Sequence, residues 1–283
     1  MRAMIRPDMK ADSRLSSACE QVPVGLTEVD KLAAIVADCS AVIYCAGSVR
    51  GRNAEDFSIA NITGVKTILK ALERSNSAPP LLLLSSLAAS RPELSDYAYS
   101  KNAGEQLVKG TALAWTIFRP PAVYGPGDRE MLPVLKMIRR GLLAHAGPSD
   151  QRLSLLHVDD LVNAVVAWMS ASQKCLHQTY AIDDGTPGGY NWSEIGAAVG
   201  DKKLNILKVP DFMLSSVARL NLLFSRMFGY APMLSPGKVR ELMQPEWLGD
   251  NTAFTEATGW RPQLDLKQGV RQLFNEESEV TPN

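Results

Sequence analysis

Histidine is scarce in this chain, three among 283 residues, and the four cysteines stand far apart. Cys19, Cys39, Cys45 and Cys175 show no C-x-x-C spacing, so with so few histidines they offer no zinc site. Free thiols in a cytoplasmic protein are the expectation. Neither sign of charge is in excess, since thirty Lys and Arg stand against thirty Asp and Glu. That balance removes any broad electrostatic case for nucleic acid or an anionic membrane. No apolar run is long enough to span a bilayer, and the longest, 212–228, carries Arg219 and Arg226 inside it. The N-terminal MRAMIRPDMK is charged and lacks the apolar stretch of a secretory signal. The twenty glycines include no GxGxxG or GxxGxxG, the spacing that lets a backbone turn cradle phosphate.

What is present reads as an α/β chain. Short apolar runs at 2–6, 20–24, 40–45, 80–86, 113–119, 152–158 and 178–183 predict strands. Several are apolar nearly throughout, as strands covered on both faces are. Helical patterns lie between them, near 28–38, 55–75, 97–109 and 159–171. Alternation of this kind builds a doubly wound, mostly parallel sheet. Thr27 and Asp30 resemble a capping box for the first helix. After DDGTPGG (183–189) helices dominate, with one further strand near 203–208, which divides the chain into 1–186 and a smaller region, 187–283. In that second region Met213, Val217, Leu220, Phe224 and Met227 recur at four- and three-residue steps. The stripe reads as a core-facing helix, or else as a lid over an apolar ligand. The last eight residues, EESEVTPN, read as a frayed tail.

Residues 95–105, SDYAYSKNAGE, place Tyr97 and Lys101 four apart, on one face of a helix that Ser95 or Asp96 would cap. Tyr99 would stack on Ala103 and is expected to pack or to line a pocket rim. A phenol beside an ammonium is a tuned proton donor. The free group titrates near 10, and a neighbouring cation lowers that value.

YAYSKNAGE is similar to the Tyr-x-x-Ser-Lys-x-x-x-Glu helix of the extended short-chain dehydrogenases/reductases, the NAD-dependent epimerase/dehydratase family. Six further stretches resemble family landmarks in order: VIYCAG (42–47), NITGVKTIL (61–69), LLLLSSLAAS (81–90), FRPPAVYGPGD (118–128), HVDDLVNAV (157–165) and TGWRPQLDLKQGV (258–270). The resemblance implies a Rossmann-like sheet followed by a mostly helical substrate-binding region. It implies Ser86, Tyr97 and Lys101 as the catalytic residues, acting with a nicotinamide that supplies hydride. Cofactor contacts would fall on Arg6, Leu26, Cys45, Ala46, Gly47, Asn61, Ser85, Tyr97, Lys101, Pro120, Ala122 and Val123. Arg6, ending the first strand, favours NADP over NAD, because a base there meets the 2′-phosphate.

On the same resemblance Met1 falls on the second strand of the fold. The first strand, its Gly-rich turn and the first helix are then missing. One expectation is a working chain that starts about twenty to thirty residues upstream, the length of one βα unit. The other is a shortened relative with weakened dinucleotide binding. For substrate, the resemblance implies a carbonyl reductase or alcohol dehydrogenase acting on an apolar small molecule. A nucleotide-sugar epimerase or dehydratase is the alternative, although Trp247 stands where those enzymes carry a diphosphate-binding arginine. A non-catalytic assembly protein is the third reading. A homodimer through helices 55–75 and 97–109 is also implied, and neither metal nor nucleic acid is expected.

Overall fold

The computed structural model describes residues 1–10, 12 and 15–280. The chain opens with β1 (Arg2–Ile5), β2 (Glu20–Pro23), α1 (Val29–Val36) and β3 (Val42–Tyr44). A long helical stretch follows, made of α2 (Ala54–Ser58), a π turn (Ile59–Gly64) and α3 (Val65–Arg74). Then come β4 (Leu81–Leu84), a 3-10 turn (Leu87–Ser90), α4 (Asp96–Lys109), β5 (Trp115–Phe118) and β6 (Ala122–Tyr124). The middle of the chain adds α5 (Leu132–Arg139), β7 (Leu142–His145), β8 (Arg152–Leu153), β9 (Leu155–His157), α6 (Val158–Ala171) and β10 (Gln178–Tyr180). The remainder holds α7 (Trp192–Val199), β11 (Asn205–Lys208), α8 (Asp211–Phe228), α9 (Pro236–Leu242), β12 (Glu246–Trp247), α10 (Thr252–Thr258) and α11 (Leu266–Val280).

Every ladder is parallel. The central sheet runs β10-β5-β4-β3, with Leu81 opposite Trp115 and Val42 opposite Leu81. β1 pairs with β2 in a separate two-stranded ribbon, and smaller pairs join β6 to β9, β7 to β11 and β8 to β12. Alternation along β4 explains why its sequence is apolar throughout. Leu81 and Leu83 enter a core with α1 and α3, whereas Leu82 enters a second core on the opposite face with Trp168, Phe254 and Trp260. Both faces are covered, so no position is left for a polar side chain.

Four local expectations change. Thr27 does not cap α1, because the N-cap position falls one residue later, on Glu28, whose carboxylate accepts from Gly25 N at 2.7 Å. The strand expected over 152–158 breaks at Ser154, where Ser154 Oγ donates to buried Asp183 at 2.6 Å. The frayed tail is helical through Val280 as part of α11, and 281–283 lie outside the described residues. The stripe on α8 does not face a core. Met213, Val217, Leu220, Phe224 and Met227 are all exposed, and the buried line of that helix runs instead through Ala218 and Ser225.

The π turn positions the site. Tyr44, at the end of β3, donates its hydroxyl to Ala60 O at 2.7 Å, inside the turn. A Cβ on Gly64 would stand 2.1 Å from that hydroxyl, so only glycine lets the ring in. Gly104 of α4 does the same for close packing, since a Cβ there would meet Asn61 O at 2.3 Å. The carbonyl ends of β3 and β4, the π turn and α4 therefore converge.

Candidate active site

β4 ends in Ser85 and Ser86. Ser86 has extended backbone geometry and caps the 3-10 turn, its Oγ accepting from Ala88 N at 3.2 Å. Ser95 caps α4, accepting from Ala98 N at 2.9 Å, and donates to Glu241 of α9. This cap sets Tyr97 in the first turn, where the Ser86 hydroxyl favours its phenolate and its ring tilts against Phe57 at 6.1 Å.

The charge relation differs from the expected one. Burial pushes the Tyr97 phenol up to about 12; the Ser86 hydroxyl pulls it down, and Glu241 and Glu130 add to the rise. Lys101 is not among the groups that set it. The reason is where the lysine head group goes. Lys101 Nζ turns inward, donates to Leu84 O at 2.9 Å and lies 3.4 Å from where a Cβ on Gly47 would stand. Burial brings the Lys101 amine down to about 8, against the opposing pull of Glu105. Helical spacing puts two side chains on one face; it does not aim their ends.

Ala46, Asn61, Ser85 and Lys101 line a small cavity of about 10 Å³ under this cluster. Asn61 comes from the π turn, buried. Its amide donates to Ser48 O and Ser100 Oγ at 3.1 and 2.9 Å, and its Oδ1 accepts from Ser48 N at 3.2 Å. Gly47 follows directly, with Cys45 exposed beside it. Pro120 is buried beyond β5, its carbonyl accepting from Leu87 N at 2.9 Å, and Ala122 and Val123 open β6. Arg6 and Leu26 make no hydrogen bond or ion pair to the cluster. Arg6 is exposed with Asp8 at 4.0 Å, and Leu26 packs into the first core. Tyr99 does not pack in the interior, being 61 % exposed.

Glu105 carries a role that sequence reasoning passed over. It is fully buried, one turn beyond Lys101, and its carboxylate accepts from Ser85 Oγ at 2.6 Å, Arg119 Nε at 2.8 Å and Lys109 Nζ at 3.3 Å. Burial raises its carboxyl, and Arg119 and Ser85 more than offset this, leaving it below the usual range. The motif spacing offered the signal; the partners on β4 and after β5 are remote in sequence.

The cluster fits the ribose and ring end of a dinucleotide. A buried ammonium has one hydrogen-bond acceptor among the described residues, and it sits beside a glycine whose missing side chain leaves the approach open. Residues 6–182 match the NAD dependent epimerase/dehydratase family. The chain belongs to that family. It is 31% identical over 217 residues to the ceramide reductase of Caulobacter vibrioides, an alignment covering 76% of this chain and 67% of that one. It is 26% identical over 205 residues to 3beta-hydroxysteroid-dehydrogenase/decarboxylase isoform 2 of Arabidopsis thaliana, covering 65% of this chain and 36% of that one. Among solved structures, RMD from Pseudomonas aeruginosa complexed with NADPH superposes with a TM-score of 0.66 at 20% identity, covering 94% and 92% of the two chains. As a family member the chain is an α/β enzyme of the nicotinamide-dependent dehydrogenase, reductase and epimerase type.

Proposed function

We propose that this enzyme reduces the carbonyl of an apolar small molecule, with Tyr97 as proton donor and Ser86 and Lys101 as its partners. The observation that carries the reading is the placing of Tyr97 by the Ser95 cap beside Ser86, whose hydroxyl favours the phenolate while burial holds the phenol protonated at neutral pH. A nicotinamide, when bound, supplies the hydride that the carbonyl carbon takes up. Tyr97 then gives its proton to the carbonyl oxygen, and the Ser86 hydroxyl donates to the phenolate left behind. A phenol near 12 is protonated at neutral pH, the state from which reduction draws its proton. Lys101 and Asn61 would hold the ribose end, with Ala46 and Gly47 passing beneath and Ser85, Pro120, Ala122 and Val123 flanking it. Arg6, exposed and reaching only Asp8, is free to meet a 2′-phosphate, which supports NADPH over NADH.

An apolar substrate is supported by the likeness to a ceramide reductase and a sterol dehydrogenase. It is supported as well by the arginines near the site, which are already engaged. Arg240 donates to Leu94 O, and Arg91 lies over the Trp247 ring at 5.2 Å. Residues 1–186 would then serve the cofactor and 187–283 the substrate. The test is oxidation of NADPH and NADH with long-chain ketones, alongside UDP-sugars. Turnover of the ketones that disappears in Tyr97→Phe supports the reading. Epimerisation of a UDP-sugar with no ketone turnover overturns it.

A further inference from the structure

Helix α8 exposes a continuous apolar arc. Phe212, Met213, Val217, Leu220, Leu223, Phe224, Met227 and Phe228 are all exposed, Phe228 at 73 %. At about 100° per residue these positions sweep one side of the helix, and Arg219 and Arg226 border the arc along one edge. The preceding strand, two residues away in the chain, is exposed as well. On β11, Leu207 is 70 % exposed, beside the exposed Lys208.

Charge on this surface is mainly positive. The chain as a whole is balanced, yet α8 carries Arg219 and Arg226 against Asp211 and β11 adds Lys208, while Lys238 and Arg240 of α9 turn to Glu241 and Leu94 O. Asp211 stands at the first turn of α8, away from the two arginines. A face this apolar with a cationic border suits an anionic, apolar partner. A second copy of the chain is a poor occupant for an antiparallel twofold contact, which would set each arginine pair against its own kind.

We propose that α8, with β11, docks on the surface of a bilayer containing anionic phospholipid, its apolar arc entering the acyl boundary and its arginines meeting the phosphates. A helix with a wide apolar face and bordering cations lies in the interface plane at a depth of about 5–10 Å. No described helix is long and apolar enough to cross a membrane. The docked face is one helix from the candidate site, since Gly237 and Glu241 of α9 abut Ser95, the cap of α4.

The test is flotation of the full chain with vesicles of equal parts phosphatidylcholine and phosphatidylglycerol, and with phosphatidylcholine alone. Binding to the first, weaker binding to the second and release by salt are expected. Arg219→Gln with Arg226→Gln lowers partitioning onto the anionic vesicles by roughly thirtyfold, at ~1 kcal/mol per cation. Phe212→Ser with Phe228→Ser abolishes binding to both vesicles; because the two rings are exposed, far-UV circular dichroism and the melting temperature stay unchanged. Absence of binding by the unaltered chain overturns the inference, as does binding that neither variant weakens. A concentration-dependent dimer that the phenylalanine variant dissolves assigns the face to a second copy and overturns it too. Flotation needs no turnover, so a chain that floats but reduces no apolar ketone keeps this inference and loses the substrate reading.

Discussion

Ser85 Oγ donates to Glu105 Oε1 at 2.6 Å, joining the end of β4 to the middle of α4. With Arg119 on the same carboxylate, this bond fixes the angle at which α4 presents Tyr97 and Lys101 to the strand ends. Removing one partner of a buried ionic cluster leaves the others uncompensated, at a cost of about 3–5 kcal/mol. Glu105→Gln is therefore expected to lower the unfolding free energy by that amount in urea. The Glu105 carboxyl titrates below its ordinary value, so its contribution is complete above that value and is lost as pH falls through the native one. The loss in the variant should shrink in acid. A loss that stays constant down to acid pH would remove the carboxylate from this role.

Tyr97→Phe keeps the ring against Phe57 and deletes only the hydroxyl. Turnover of a ketone should fall by about 10²–10⁴, with far-UV circular dichroism unchanged. Ser86→Ala should fall less, because the phenol remains. Equal turnover in Tyr97→Phe and the unaltered enzyme rules out the assigned acid.

The two pKa positions separate the roles on a pH axis. Tyr97, near 12, remains protonated through the working range, so it gives no alkaline limb below pH 10. Lys101, near 8, does lose its charge there, and reduction should decline above about pH 8. Lys101→Arg keeps a charge at all accessible pH, because guanidinium titrates above 12. Its residual activity should lack the limb. A pH–rate profile with the same limb in both proteins assigns it elsewhere.

Stability responds to the same amine with the opposite trend. Its native value of about 8 lies below the ordinary 10.5, so between these the unfolded chain binds a proton that the native one does not. Native stability from this group therefore rises with pH across that window. Compared with Lys101→Met, the unaltered chain should gain stability between pH 8 and pH 10.5. Parallel curves from chemical denaturation would contradict this.

Gly64→Ala introduces a Cβ at 2.1 Å from the Tyr44 hydroxyl and should destabilise by about 1–3 kcal/mol through overpacking. Adding Tyr44→Phe removes the clashing oxygen and should restore much of the loss. The double-mutant cycle in thermal unfolding reads the coupling, and simple additivity would mean the clash is relieved elsewhere.

Much of this was legible in order along the chain. The apolar run at Leu81–Leu84 and the Ser95 cap follow from local chemistry, and both stand where expected. Three things were not legible, each for a stated reason. The Tyr97–Lys101 spacing fixed a shared face, but a buried carbonyl at Leu84 drew the lysine head inward. Periodicity on α8 marked an apolar stripe, yet whether a neighbour covers it depends on packing that no window of sequence contains. Glu105 lay in plain view within the motif, and its importance comes from Ser85 and Arg119, twenty and fourteen residues away.

The π turn at Ile59–Gly64 puts one surplus residue into a helix, and a helix is a clock in which each residue advances the dial by about 100°. Before and within it, Phe57 and Asn61 are set to the chemistry; downstream, Val65, Ile68 and Leu72 are set to the oil. Deleting a single position within this segment would leave a smooth helix with its hands misread, and natural length variation here should accordingly be rare.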